Sequence, residues 1–182
     1  MVKKLDFIKP ATLRVLETLF EDPLEKLHER EVMRKSGVSK GSANRILREL
    51  AGLGLLVREE KGRMVFYQLS LREPFVRQLK VLYSVWELRD FVDRIKDASR
   101  KIVLFGSCAE GNDAKESDID ILIITKEKEV VRENVGSFNR KSQRRISPII
   151  VDNAEFAAMR KRDEPLYERM EKGIMLWETD QD

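Results

Sequence analysis

Apolar residues recur at helical spacing near the start of the chain, and the pattern predicts three helices. The first spans residues 10–20. The second spans residues 29–36 and ends at Gly37, because glycine readily adopts the left-handed backbone that follows a helix. The third spans residues 40–52 and begins after Ser39, a residue type that caps helix N-termini. The expected core positions are Leu13, Val15, Leu16, Leu19, Phe20, Val32, Met33, Ile46, Leu47, Leu50 and Leu53.

Two β-rich runs follow the third helix, at residues 55–58 and 64–69, and predict a hairpin that turns at residues 60–62. The order helix, helix, turn, helix, hairpin resembles the winged helix-turn-helix family. The stretch SKGSANRILRELAGLGLLVREEKGRMVFYQL carries the resemblance. It implies that residues 1–70 form an α+β domain that binds double-stranded DNA, with the third helix as the recognition helix.

The outward side of the third helix is polar and basic. Asn44 and Arg45 have side chains suited to two-pronged hydrogen bonds with base edges, whereas the other basic residues of the helix and hairpin suit phosphate contacts. The expected DNA-binding residues are Lys40, Ser42, Asn44, Arg45, Arg48, Lys61 and Arg63. The alternative is a small helical domain whose hairpin contacts proteins.

Residues 74–97 keep an apolar stripe at helical spacing, with no glycine and no proline after Pro74. The pattern predicts one amphipathic helix within a linking segment, residues 71–98. The stripe consists of Phe75, Leu79, Leu82, Tyr83, Trp86, Val92 and Ile95. We expect it to pack as core against the C-terminal domain. Part of it suits contact with a second copy of the chain, which predicts a homodimer.

The string VLFGSCAEGNDAKESDIDILII joins two apolar strands through two short polar motifs. Gly106 and Ser107 follow the first strand, and ten residues separate them from Asp118, Ile119 and Asp120, which open the second. Because side chains alternate along a strand, the two aspartates share one face while the isoleucine points into the core. Two carboxylates at one site suit Mg²⁺, which proteins hold with one or two carboxylates and substrate phosphates.

This string resembles the signature of the minimal nucleotidyltransferases of the DNA polymerase beta superfamily. The resemblance implies a mixed-sheet domain over residues 99–182. In it, Gly106 and Ser107 bind the β and γ phosphates of a nucleoside triphosphate, ATP first, while Asp118 and Asp120 hold Mg²⁺ or Mn²⁺ and are catalytic. A hydroxyl then attacks the α phosphorus and pyrophosphate leaves. Glycine permits close approach of phosphate to the backbone, and serine donates hydrogen bonds to phosphate oxygens.

The chain departs from this superfamily at one point. Active members carry a third carboxylate near the start of a later strand, and the matching strand here is residues 146–151. At that start the chain has Ser147 and Pro148. Asp152 stands at the far end, about 16 Å from Ser147 at the rise of a strand, too far to substitute. The departure counts against catalysis but not against nucleotide binding.

The rest of the C-terminal region alternates strands and helices, which predicts an α/β sheet domain. The remaining expected elements are strands at 101–105, 121–124 and 174–177 and helices at 126–140, 155–161 and 164–171. The basic run Arg140, Lys141, Arg144 and Arg145 suits a solvated loop, with contact to a polyanion as the alternative. Cys108 has no base identifiable from sequence, so we expect a small loop residue rather than a nucleophile.

Composition and charge add three constraints. Residues 1–70 contain 14 Lys and Arg against 10 Asp and Glu, whereas the remainder contains 21 against 22, so the excess positive charge is N-terminal, as suits nucleic-acid binding. Neither a run of about 18 apolar residues nor a signal-peptide pattern occurs, which predicts a cytoplasmic protein with no membrane contact. Cys108 is the single cysteine, which excludes an internal disulfide. Together with His28, the single histidine, it supplies too few ligands for a Cys/His zinc site.

Three functions fit these features. The first is a nucleotidyltransferase that its DNA-binding domain targets or regulates, with AMP transferred to a hydroxyl of a protein or nucleic acid. The second is a nucleotide-responsive transcription regulator with an inactive nucleotidyltransferase domain. The third is an antitoxin-like protein that adenylylates or binds a partner toxin, as some minimal nucleotidyltransferases paired with HEPN proteins do. The first is the function that the sequence favours.

Overall fold

A computed structural model describes residues 8–179. Residues 1–7 and 180–182, at the ends of the two predicted domains, lie outside the described part. The chain divides into two compact units, Met1–Arg77 and Gln78–Asp182, and the division falls inside the segment predicted to link the domains. Within the described part, no helix is long and apolar enough to cross a membrane.

The described part of the first unit contains three complete helices and a three-stranded antiparallel sheet of order β1-β3-β2. The elements are α1 (Pro10–Glu21), β1 (Leu27–His28), α2 (Glu29–Ser36), α3 (Lys40–Gly52), β2 (Leu56–Lys61) and β3 (Met64–Leu69). The three predicted helices and the hairpin are confirmed as elements. The sequence did not predict β1, because two residues are too few to produce an alternating pattern.

Local chemistry fixes the ends of α2 and α3. His28 caps α2, with its Nδ1 accepting a hydrogen bond from the Arg30 N–H at 3.1 Å. Gly37 ends α2 with a φ of 66°, as predicted. Ser39 caps α3, with its Oγ accepting from the Ser42 N–H at 3.3 Å. The turn between the two helices is therefore specified by its own residues.

The core of the first unit contains most of the predicted positions. The buried ones are Val15, Leu16, Leu19, Phe20, Val32, Ile46, Leu47 and Leu50. The prediction is wrong at Leu13, whose side chain is 42% exposed. The buried stripe of α1 runs instead through Thr12, Val15 and Leu19, and Leu13 lies at its edge.

The hairpin turn begins two residues later than predicted. β2 continues through Lys61, which pairs with Met64, so Gly62 and Arg63 alone form the turn. Gly62 has a φ of 59°, the left-handed conformation that two-residue hairpin turns favour. Glu60 and Lys61 are strand residues because an exposed edge strand tolerates charged side chains.

The second unit is built on a mixed four-stranded sheet of order β6-β5-β4-β7, in which only β5 and β6 run parallel among the described strands. Its elements follow α4 (Pro74–Glu87), which extends across the division. They are α5 (Arg89–Ile95), a 3₁₀ turn (Lys96–Ala98), β4 (Lys101–Leu104), α6 (Gly106–Glu110), β5 (Ile119–Ile124), α7 (Lys128–Lys141), β6 (Ile146–Val151), α8 (Asn153–Arg162), α9 (Glu164–Glu171) and β7 (Ile174–Glu178). The predicted mixed α/β architecture is confirmed.

Helices cover both faces of this sheet, and strand alternation divides its core into two clusters. On one face, Ile119 and Ile121 pack in a cluster with residues of α5 and α7. On the other face, Leu122 packs in a cluster with Met170 of α9. Asp120 precedes Leu122 by two positions in β5 and therefore lies on the α9 face.

Residues 74–97 form two helices and the start of the 3₁₀ turn rather than the single predicted helix. The break falls at Leu88, which is fully buried and keeps helical angles of φ −80° and ψ −9°. Because the backbone remains nearly helical there, the apolar spacing continues across the break. Periodicity therefore cannot separate α4 from α5.

The predicted apolar stripe of α4 is also wrong at two positions. Leu82 and Trp86 are 61% and 66% exposed, whereas Lys80 and Ser84 are buried. Burial of a lysine requires a partner from elsewhere in the fold. A pattern built from apolar residues alone could not identify that partner.

Candidate functional site

Asp120 packs directly on the backbone of Gly106. The chain leaves β4 after Leu104 and turns at Gly106, whose φ of 70° lies in the left-handed region. A Cβ atom on Gly106 would stand 2.4 Å from Asp120 Oδ2. Glycine is therefore required for two reasons, the backbone conformation and the close approach of the carboxylate. The two halves of the motif, ten residues apart, meet at this contact.

Asp118 and Asp120 flank Ile119, which is fully buried in the sheet core. β5 begins at Ile119, so Asp118 precedes the strand and is exposed, whereas Asp120 is half-buried. Partial burial raises the pKa of Asp120; the Arg169 guanidinium opposes this shift and the charge of Asp118 adds to it. The two carboxylates thus lie close enough to interact electrostatically.

Ser107 follows Gly106 in the first turn of α6 and is half-buried. Its carbonyl accepts the Asn112 N–H at 2.9 Å. Its hydroxyl makes no hydrogen bond within residues 8–179 and can donate to a ligand oxygen. The predicted Gly-Ser pair therefore begins a short helix beside Asp120 rather than lying in an open loop.

Ser147 occupies the position of the expected third acid. In the parallel pairing of β5 with β6, it stands opposite Asp120 and is exposed. Asp152 lies beyond the far end of β6, where its Oδ1 accepts the Glu155 N–H at 2.8 Å and caps α8. The prediction that Asp152 cannot substitute agrees with this placement. In the described ranges, no group of three His, Cys, Asp or Glu side chains could hold a metal ion.

Arg169 of α9 is a cation within electrostatic range of Asp120, and the sequence did not reveal this placement. It is exposed, and its charge lowers the pKa of Asp120 against the effect of burial. The adjacent residue, Met170, is buried in the core on the Asp120 face of the sheet. From the sequence alone, Arg169 is indistinguishable from other surface arginines of an amphipathic helix.

The model of the family described as "Nucleotidyltransferase domain" matches residues 85–175, half of the chain, and this span includes every residue of the site just described. The chain belongs to the nucleotidyltransferase domain family. It is similar to a Methanocaldococcus jannaschii protein named "Putative protein adenylyltransferase", with 35% identity over 68 residues, 34% of this chain and 69% of the relative. Members of the family generally use a nucleoside triphosphate and Mg²⁺.

Solved structures are similar at a lower level. A "putative nucleotidyltransferase" from Sulfolobus solfataricus is 16% identical, with 62% of this chain and 96% of that chain covered and a TM-score of 0.40. An IclR family transcriptional regulator from Brucella abortus is 15% identical, with 94% and 67% covered and a TM-score of 0.33.

A buried ion-pair network holds the loop between the two halves of the nucleotidyltransferase motif. Lys80 of α4 and Asp113 of the loop are 2% and 4% exposed, with Nζ 3.0 Å from Oδ1. Arg144 lies 3.1 Å from the other oxygen of Asp113 and 3.4 Å from a carboxylate oxygen of Glu87. Burial lowers the pKa of Lys80 and raises that of Glu87, while their partners oppose both shifts. Two cations and two carboxylates thus balance inside the fold.

Cys108 connects this network to Asp118. Its Sγ–H donates to the Asp118 carbonyl oxygen at 3.6 Å, and Arg144 Nη2 donates to Sγ at 2.8 Å. Burial raises the pKa of the thiol to about 11. The thiolate is therefore scarce at neutral pH, which disfavours a nucleophilic role, as predicted. The predicted loop position is wrong, because Cys108 is a buried residue of α6.

The basic run after α7 divides between two environments. Arg140, Lys141 and Arg145 are exposed, as expected of a solvated segment. The prediction of a solvated loop is wrong at Arg144, because its guanidinium pairs with Asp113 and Glu87. Those carboxylates lie 31 and 57 positions away in the chain, so local sequence does not indicate the pairing.

A cleft of about 490 Å³ lies at the opposite end of the sheet from the carboxylates of the nucleotidyltransferase motif. Thr125, Lys126 and Asp152, which follow the ends of β5 and β6, contribute to its lining. Asp120 and Ser147 stand near the other ends of the same strands. The carboxylate site therefore lies where β5 and β6 begin and is not part of this cleft.

Outside the nucleotidyltransferase match, the predicted DNA-binding residues lie on α3 and the hairpin of the first unit. The exposed ones are Lys40, Arg45, Arg48, Lys61 and Arg63. Two others are engaged within the unit. Ser42 belongs to the cap of α3, and Asn44 Nδ2 donates to Glu29 Oε2 at 2.7 Å. Arg45 is accordingly more available to a ligand than Asn44.

Proposed function

We propose that this protein transfers a nucleotidyl group, AMP from ATP in the first instance, to a hydroxyl of a protein or nucleic acid. The observation that carries the proposal is the packing of Asp120 on the Gly106 backbone, which joins the two halves of the family motif. Asp118 and Ser107 add a second carboxylate and a hydroxyl donor beside it. Membership of the nucleotidyltransferase family supports the same class of reaction.

Asp118 and Asp120 have the donor chemistry of a divalent-ion site. Carboxylate oxygens are hard ligands, and Mg²⁺ needs only one or two of them when water and substrate phosphates fill its other positions. Asp120 accepts no side-chain hydrogen bond from the described residues, so its oxygens are available. Bound Mg²⁺ or Mn²⁺ supplies positive charge that neutralises a triphosphate.

Gly106 and Ser107 have complementary roles in the proposed site. The missing side chain of Gly106 lets a phosphate approach the backbone, and the free hydroxyl of Ser107 donates to a phosphate oxygen. In the transfer, the acceptor oxygen bonds to the α phosphorus, the bond from that phosphorus to the bridging oxygen breaks, and pyrophosphate leaves.

Ser147 makes the proposed transfer slow. A serine hydroxyl at the third-acid position is a poor base at neutral pH and brings no negative charge to a metal. An acceptor that carries its own carboxylate near the reacting hydroxyl compensates for both losses. We therefore favour a protein acceptor, and the name of the M. jannaschii relative, a "protein adenylyltransferase", supports this preference.

Incubation with α-labelled ATP tests the proposal. The protein is mixed with Mg²⁺ or Mn²⁺ and with its own cell lysate, duplex DNA or neither, and Asp118→Asn is the matched control. Label transferred by the wild type and not by the variant identifies both activity and acceptor class. Metal-dependent ATP binding with no transfer to any acceptor would favour the nucleotide-responsive regulator instead.

A second candidate function is DNA binding by the first unit as a winged helix-turn-helix domain. The supporting observation is that Lys40, Arg45 and Arg48 are exposed on α3 while Ile46 and Leu47 are buried. Arg63 adds a cation at the tip of the hairpin. Basic residues on the outward side of the second helix of a helix-turn-helix, here α3, suit a major-groove contact when a hairpin lies next to them.

A salt titration of duplex binding tests this candidate. Arg45→Ala should lower affinity and relax sequence preference, because arginine reads base edges. Lys61→Ala should weaken all sequences alike and reduce the salt dependence, because a lysine on phosphate releases counterions. The proposal is withdrawn if no duplex binds at low ionic strength.

We also propose that the protein dimerises through the outer side of α4. Leu82 and Trp86 are exposed there, and Met175 of β7 is exposed and lines the same groove as both. Large exposed apolar side chains in one groove indicate a contact surface. Sedimentation at micromolar concentration should give a dimer that Trp86→Ser dissociates; a monomeric wild type contradicts this.

A further inference from the structure

We infer that Arg169 is a triphosphate-binding residue of the carboxylate site, with its guanidinium on the β and γ phosphates of the nucleotide. The inference rests on the proposed nucleotidyl transfer and adds a residue to it that lies outside the Gly-Ser and Asp-x-Asp motifs. The ligand class it recognises is a nucleoside di- or triphosphate, not a nucleoside monophosphate.

The packing of α9 places Arg169 at the same end of the sheet as the carboxylates. Met170 is 1% exposed and packs with Phe105 and Leu122 on the face that also carries Asp120. At the end of the helix, a Cβ on Gly173 would stand 2.6 Å from the Leu104 carbonyl oxygen. The last turn of α9 is therefore held against the end of β4, where the Gly-Ser motif begins.

The charge of Arg169 is available to a ligand. Lys172, in the turn that follows, pairs with Glu168 at 2.9 Å. Within the described ranges, Arg169 makes neither an ion pair nor a side-chain hydrogen bond, and it is exposed. Its guanidinium lies within electrostatic range of the Asp120 carboxylate. An arginine that has no partner among the described residues and lies near Asp120 is placed to bind an anion. A cation held by the carboxylates would bring that anion to the site.

The chemistry of the transfer needs such a cation. The charges of two carboxylates and a triphosphate exceed the charge of one divalent ion. When the acceptor oxygen bonds to the α phosphorus and the bond to the bridging oxygen breaks, negative charge accumulates on the departing pyrophosphate. A guanidinium binds phosphate oxygens through two parallel hydrogen bonds and cannot lose its proton. Arg169 thus stabilises the leaving group, while the acceptor proton passes to the acceptor's own carboxylate or to solvent.

Titration calorimetry of Arg169→Gln tests the inference, with Arg94→Gln as the matched control. Arg94 is an exposed arginine of α5, which packs on the opposite face of the sheet. Arg169→Gln should weaken Mg-ATP and Mg-ADP binding about 10-fold or more and change AMP binding by less than about 2-fold. Arg94→Gln should leave all three affinities unchanged.

A second measurement separates ligand binding from a structural role. Mn²⁺ alone should bind Arg169→Gln as tightly as the wild type or more tightly, because a positive charge near the carboxylates has been removed. If Mn²⁺ and ATP both bind more weakly, Arg169 only supports the fold, and the inference is overturned. Equal ATP binding by wild type and variant overturns it as well. A wild type that binds no Mg-ATP defeats the proposed function itself, and that outcome is seen before any variant is compared.

Discussion

Asp113 and Asp120 lie seven positions apart in one stretch of chain, yet their environments are opposite. Asp113 is almost fully buried, and Lys80 and Arg144 both pair with it. Asp120 is half-buried, and its neighbours include a second carboxylate, Asp118. Among residues 8–179, the charge of Arg169 opposes the repulsion between the two carboxylates. One aspartate is compensated inside the fold, and the other is not.

The difference separates structure from function within one motif. A buried charge is retained only when partners compensate its desolvation, so the network around Asp113 holds the loop in one conformation. A carboxylate left beside another carboxylate costs stability, and that cost suits a site that a cation completes. The loop from Gly111 to Ser117 is therefore a rigid support for the carboxylate pair.

Removal of Lys80 should give the largest loss of stability. Lys80→Met keeps most of the side-chain volume but leaves Asp113 with one buried partner in place of two, and it should cost about 3 kcal/mol of unfolding free energy. Urea denaturation measures this. Lys172→Met, which breaks an exposed pair with Glu168, is the control and should cost far less. Similar losses for both variants would mean that the Asp113 network carries no special stability.

Alanine at Gly106 should have the largest effect on the carboxylate site. A Cβ would enter the position of Asp120 Oδ2 and would also strain a backbone with a φ of 70°. We expect Gly106→Ala to reduce metal-dependent ATP binding at least 10-fold, in rough proportion to the displaced carboxylate. Gly41→Ala in α3 is the control, since nothing lies within 4 Å of its Cβ. Unchanged ATP affinity in Gly106→Ala would show that Asp120 can bind metal from another position.

Asparagine at Asp120 should stabilise the protein slightly. Because the folded state raises the pKa of Asp120, the folded state binds the proton more tightly, so stability falls as pH rises from the ordinary value of 3.8 through the raised one. Asp120→Asn removes this loss and should melt at a higher temperature than the wild type at pH 7.

When metal and nucleotide are present, the wild type should melt at a higher temperature than Asp120→Asn. Mg²⁺ with ATP should raise the melting temperature of the wild type and not that of Asp120→Asn, because ligands stabilise only the state that binds them. Asp113→Asn is the matched control, because it removes a compensated charge and should destabilise the protein under both conditions. Destabilisation of Asp120→Asn at pH 7 would mean that Asp120 is a structural carboxylate.

The sequence predicted the parts of this comparison that depend on local pattern. Strand alternation placed Asp118 and Asp120 around a buried Ile119. The family resemblance located the third-acid position at the start of residues 146–151, and the rise of a strand excluded Asp152 from it. The geometric parts of both inferences use only the period and rise of a strand, which side chains outside the strand do not alter.

The compensating network was not predictable in the same way. Lys80 meets Asp113 across 33 positions, and only the folded chain brings them together. The apolar stripe of α4 predicted burial of Leu82 and Trp86, which are exposed, and not of Lys80, which is buried. Lysine is rarely buried without a partner, and the stripe does not reveal the partner. The position of Arg169 was not predictable for a related reason. The pairing of strands, and not sequence spacing, defines which helix packs on the Asp120 face of the sheet.

The alkylation rate of Cys108 should show the smallest effect, and it tests whether the two aspartate environments are linked. Its Sγ lies between Arg144 of the network and the Asp118 carbonyl oxygen. With a thiol pKa of about 11, only about one molecule in a thousand carries a thiolate at pH 8, so iodoacetamide should label the native protein slowly. Lys80→Met should accelerate labelling, because a loosened loop exposes the thiol, whereas Asp120→Asn should not. Equal acceleration in both variants would mean that the carboxylate site also holds the loop closed, and Asp113 and Asp120 would then share one structural role.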